Sequence, residues 1–143
     1  MTTIKAMRLA SVVTAIDVLV ASGFSIVGII RPQYLVPAGS VPTQASLILA
    51  MYAAARTIPL ALLAWWAIYK QAAPALVLMG TLAGAMQLLD AGIGFFERDL
   101  GKCAGPLFIA VLQFFVVYLL HRSADHDANQ APIGSTLNVN NAD

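Results

Sequence analysis

The sequence predicts an all-α fold, an integral membrane four-helix bundle with a disordered polar C-terminal tail. Three observations carry that reading. Of the 143 residues, 59% are hydrophobic and 10% are charged, whereas a soluble domain carries about 25% charged residues. The apolar residues gather in four stretches, each near the roughly 17–25 residues that a helix needs to cross about 30 Å of hydrocarbon. The breaks between them hold proline, glycine and charge. Backbone groups in lipid find no water to pair with, so stretches of this kind must be helical.

The first apolar stretch runs from about Leu9 to Ile30 and stops at Arg31-Pro32, because the residue before proline resists helical geometry. A positive leader, Lys5 and Arg8, precedes it. The stretch is about twice the length of a signal-peptide core, contains Asp17 and lacks a small-x-small cleavage site. It is expected to be a retained helix. Arg31 to Thr43 holds Pro32, Pro37, Gly39 and Pro42 and reads as an ordered loop without regular structure. The second helix is expected over 44–69. Lys70 to Ala73 makes a tight turn, and Pro74 suits the first turn of a third helix over 74–96. Glu97 to Lys102 is a short charged connection. The fourth helix is expected over 104–120. Residues 1–122 therefore form one bundle. Residues 123–143 are polar and lack aromatics, a composition that favours disorder.

Four spans place both termini on one side with Lys5, Arg8, Lys70 and Arg122. The other side holds Arg31, Arg98 and Lys102. The positive-inside rule then favours cytoplasmic termini. Trp65, Trp66, Tyr69 and Tyr118 form an aromatic belt near that side. The net charge of +1 comes with no basic run, which argues against a nucleic-acid partner. Cys103 is alone, so no internal disulfide forms, and Lys102 by itself does not make it a nucleophile. Asp125-His126-Asp127 reads as solvated tail rather than a metal site. No phosphate-binding loop, dinucleotide fingerprint or nucleophile elbow occurs, and no cofactor is expected.

Three charges interrupt the apolar stretches: Asp17, Arg56 and Asp90. A charge at bilayer depth costs roughly 2.5–3.5 kcal/mol on insertion scales. At about 1.5 Å per residue, Arg56 lies near mid-span, Asp17 roughly 4 Å to the cytoplasmic side of its helix centre, and Asp90 roughly 7 Å to the outer side of its own. Arg56 is therefore expected to bridge the two acids. On the third stretch Gly80, Gly84, Gln87, Asp90, Gly94 and Glu97 recur at helical spacing. On the first, Ser11, Thr14, Asp17 and Ser25 do the same. Gly80 to Gly84 is a small-xxx-small pair that permits close helix approach. Gln113 is the deep polar residue of the fourth stretch. The candidate ligand or proton site is Asp17, Arg56, Gln87, Asp90 and Gln113. The same residues also suit a structural ion-pair network.

The run Tyr52-Ala-Ala-Ala-Arg56-Thr-Ile-Pro-Leu-Ala61, followed by Gln87-Leu-Leu-Asp90-Ala-Gly92, resembles a pattern in the DoxX-like group and neighbouring four-helix bacterial membrane families. The resemblance covers roughly Leu9 to Leu120 and leaves out the polar tail. It implies a four-helix inner-membrane bundle and little chemistry. The functional expectation is a binding or accessory membrane protein rather than an enzyme. It would hold a small polar or amphiphilic ligand, or stabilise a complex with another membrane protein or with copies of itself. A proton-coupled, oligomeric transporter is the alternative. An enzyme acting on a lipophilic substrate, with Asp17 or Asp90 as acid or base, is a third class.

Overall fold

The computed structural model of the chain describes residues 2–34, 36 and 40–130. Four helices follow one another: α1 (Thr3–Ile30), α2 (Gln44–Tyr69), α3 (Ala73–Phe96) and α4 (Leu100–Gln130). All four are long and apolar enough to cross a membrane. At 24 residues or more, each reaches at least about 36 Å.

Two boundaries differ from the sequence reading. α1 begins at Thr3, because Ile4 to Arg8 continue the helix beyond the apolar stretch. α4 runs from Leu100 through Gln130, so 123–130, expected within the disordered tail, are helical. One helical turn separates His121 from Asp125, and their side chains meet at 3.1 Å, an i,i+4 pair of the kind that supports an exposed helix. Residues 131–143 lie outside the described residues. The expected loop after α1 opens with a turn of 3₁₀ helix, Pro32–Tyr34, while 35 and 37–39 also lie outside them.

The helix ends follow local chemistry. Thr43 and Ser46 form a reciprocal capping box, with the Ser46 amide donating to Thr43 Oγ1 at 3.2 Å and the Thr43 amide to Ser46 Oγ at 2.9 Å. α2 ends in a turn with Gln71 at φ 51°, and α3 ends in one with Arg98 at φ 57°. In each the following amide reaches back five residues: Ala72 to the Ala67 carbonyl at 3.1 Å, and Asp99 to Gly94 at 3.0 Å. This closure leaves one residue in the left-handed region, where glycine is usual. Asp99 Oδ1 then accepts from the amides of Gly101 and Lys102 at 3.0 and 3.1 Å, capping α4.

Around the bundle the order is α2, α1, α4, α3. The α3–α4 contact is the most extensive, α1 and α3 touch across the short diagonal, and α2 and α4 do not meet. In lipid, apolar burial gives little drive between helices, so close approach of small residues matters more. A Cβ at Gly80 would come within 2.6 Å of Gln113 Nε2, and one at Gly94 within 2.5 Å of the Lys102 backbone. These glycines let α3 lie against α4. α2 is held by a run of alanines, with Ala54, Ala61, Ala64 and Ala67 as its buried residues.

The core lies toward the end that carries the N-terminus and the α2–α3 turn, called here the terminal end. Ala6, Met7, Ala10, Val13, Leu76, Val116 and Leu120 form one cluster there, and Val18, Ala61 and Ala64 a second above it. Toward the opposite loop end the buried residues thin to Gly28, Ala54, Ala91 and Gly94.

Candidate functional site

α1 presents Ser11, Thr14 and Asp17 inward, three residues apart on one face, and all three are buried. Opposite them stand Gln87 of α3 and Gln113 of α4, also buried. Gln87 Nε2 donates to Asp17 Oδ1 at 2.5 Å. One turn toward the terminal end, Gln113 Nε2 donates to Thr14 Oγ1 at 2.8 Å. The Gln113 amide occupies the notch that Gly80 leaves between the helices. Two cross-helix hydrogen bonds thus pin α1 to both α3 and α4.

The column also holds polar atoms without partners. Asp17 Oδ2, Gln113 Oε1 and Ser11 Oγ are buried with no hydrogen-bond partner among the described residues. Each such group carries a cost of about 1–3 kcal/mol relative to a paired one. The packing around them is tight: Asp17 is 2% exposed and Gln113 is fully enclosed.

The other two charges stand elsewhere. Arg56, expected at the centre of an ionic cluster, is exposed on α2 and makes no ion pair among the described residues. The reason is its direction on the helix. The buried face of α2 is the alanine face, and Arg56 points away from it, sharing its side with Tyr52 and Pro59. Asp90 is exposed too. It lies three residues past Gln87 on the flank of α3 that carries Met79, and it is within electrostatic reach of Asp17. Met79 packs on Val18, Ala61 and Ala64, so this flank faces α1 and α2 where they are close and opens outward at Asp90. The expected Asp–Arg–Asp bridge is therefore replaced by a buried Asp17–Gln87 pair and two separate exposed charges.

Thr14 is the site residue that side-chain charge did not single out. It stands in the small polar stripe of α1, and that stripe was its signal. Cys103 is partly buried beside a shallow pocket of about 550 Å³ that includes Gly94, Phe95, Phe96 and Arg98. Among the described residues no three of His, Cys, Asp and Glu gather as metal ligands. No family model, curated protein or solved structure matches the chain.

Proposed function

We propose that this chain is an accessory membrane protein. Its polar column locks α1, α3 and α4 into one register, and its exposed charges dock another membrane helix. The observation that carries the reading is Arg56: a guanidinium near mid-span on the outer face of α2, with no acid paired to it among the described residues. Arginine facing lipid at that depth is costly, and a protein partner removes the cost by supplying an acceptor. The buried column suits the structural half of the role, because its members are enclosed and bonded across helices. The setting is a bacterial inner membrane with cytoplasmic termini, supported by Lys5, Arg8, Lys70 and Arg122 at the terminal end and by the resemblance to the DoxX-like group.

Photo-crosslinking in native membranes tests the docking role. A crosslinker at Tyr52, beside Arg56, is expected to give protein adducts. One at Phe108, exposed on α4, is expected to give lipid adducts. Lipid adducts alone from both positions would overturn the proposal.

One observation favours a second reading, proton-coupled transport. Ser11 Oγ, Asp17 Oδ2 and Gln113 Oε1 are unpartnered polar atoms along one buried column, and such a column can relay protons when the bundle opens. In proteoliposomes under an imposed potential, this reading expects proton flux that Asp17→Asn abolishes. Equal flux in protein-free vesicles would dismiss it.

A further inference from the structure

Along α2 the exposed residues Leu49, Tyr52, Arg56, Pro59, Leu63 and Trp66 follow one another at alternating steps of three and four. That is a heptad seam, the spacing with which two helices interlock, and a single polar residue within such a seam fixes register and partner. The intramolecular contacts of α2 use the alanine face instead, so the seam has no occupant among the described residues. Beside it stands α3, whose flank carries Met86, Asp90 and Ile93 at the same spacing, with Asp90 and Ile93 exposed. Measured from the α2–α3 turn at about 1.5 Å per residue, Arg56 is about 20 Å deep and Asp90 about 25 Å. A guanidinium on its extended side chain spans that difference. Among the described residues, Arg56 and Asp90 thus stand exposed at matching depth on neighbouring helices, without an ion pair between them.

We infer that the occupant of the seam is a second copy of this chain, related by a twofold axis along the membrane normal. α2 of each copy lies along the α2–α3 surface of the other, and Arg56 of one pairs with Asp90 of the other. A twofold interface is self-complementary, so the same pair forms twice and both exposed bases and both exposed acids are satisfied. The bidentate geometry of arginine on a carboxylate gives the contact its register. This inference rests on the docking reading above and names its partner.

Charge exchange tests it. Purified full-length chain carrying Cys103→Ser and Thr2→Cys is labelled with donor or acceptor dye and reconstituted in vesicles at high lipid excess. Energy transfer between copies is expected for this parent. Arg56→Asp sets two acids against each other at each contact, and Asp90→Arg sets two bases, so each alone is expected to lower the dimer affinity by about tenfold or more. Mixing the two variants restores acid against base at both contacts, and so does combining them in one chain; both are expected to recover transfer. Arg56→Leu and Asp90→Asn, which place no like charges together, serve if a reversed-charge variant fails to fold, and each should weaken transfer. A parent that is monomeric in vesicles overturns the inference, as do single variants with unchanged transfer or a mixture of folded variants that recovers none. A monomeric parent together with Tyr52 adducts to a different protein in native membranes would leave the docking reading standing and remove only the second copy.

Discussion

At the scale of single residues, the sharpest contrast lies between two polar groups at similar depth. Asp17 is enclosed and bonded to Gln87, while Arg56 lies on the surface. Gln87→Leu leaves neither Asp17 oxygen with a partner and is expected to destabilise the protein by about 1–3 kcal/mol. Adding Asp17→Leu is expected to recover part of that loss, because removing both partners leaves no buried polar group unpaired. Unfolding followed by circular dichroism in mixed micelles measures both; a double variant less stable than Gln87→Leu would count against the pairing. The inward placement of Asp17 and Gln87 was legible, since small and polar residues recur around them at helical spacing, and that of Gln113 because it is the deep polar residue of an apolar stretch. The sequence could not give the direction of Arg56. Depth follows from counting residues, but direction depends on which side of α2 meets its neighbours. The alanines at 54, 61, 64 and 67 were the signal, and a polar residue drew the interior assignment instead.

Among the elements, α3 owes its place to residues without side chains. Gly80→Ala drives a Cβ to 2.6 Å from Gln113 Nε2 and 2.7 Å from Val117 Cγ2, and overpacking of this kind costs about 1–3 kcal/mol. Gly94→Ala meets backbone at 2.5 Å, which yields less readily, so its loss should be the larger. Gly23→Ala and Gly92→Ala meet nothing within 4 Å and are expected to be neutral or to stabilise by up to about 1 kcal/mol through helix propensity. Thermal midpoints of the four variants check the order. Arg98→Gly relieves a left-handed residue between α3 and α4 and is expected to raise stability by about 1 kcal/mol. Helix spans and breaks were readable from composition and proline. The extension of α4 to Gln130 was not, because polar residues without an apolar face suit a disordered segment as well as a helix that has left the bilayer.

For the whole molecule, four spans put the N-terminus and the α2–α3 turn at one end, and the 97–99 turn at the other. In a background of Cys103→Ser, Lys70→Cys is expected to resist a membrane-impermeant maleimide in intact cells, and Asp99→Cys to react. The reverse pattern would invert the assigned orientation without altering the fold. The four-helix count and the antiparallel course were legible because each apolar stretch is long enough to cross once. The order of helices around the bundle was not, since contacts between stretches distant in sequence leave no mark on either one alone.

The core gathers at the terminal end, where Thr3 Oγ1 also reaches the Ser123 carbonyl at 3.1 Å, and α4 has no buried residue before Ala110. A bundle whose buried side chains gather at one end, with α3 and α4 still closely joined at the other through Gly94, is expected to treat the two bilayer leaflets differently. Around the loop end fewer side chains are buried between helices, so acyl chains are expected to contribute more to the packing of the folded state in that leaflet. The thermal midpoint should accordingly respond to acyl-chain unsaturation in that leaflet and little to the same change in the opposite one.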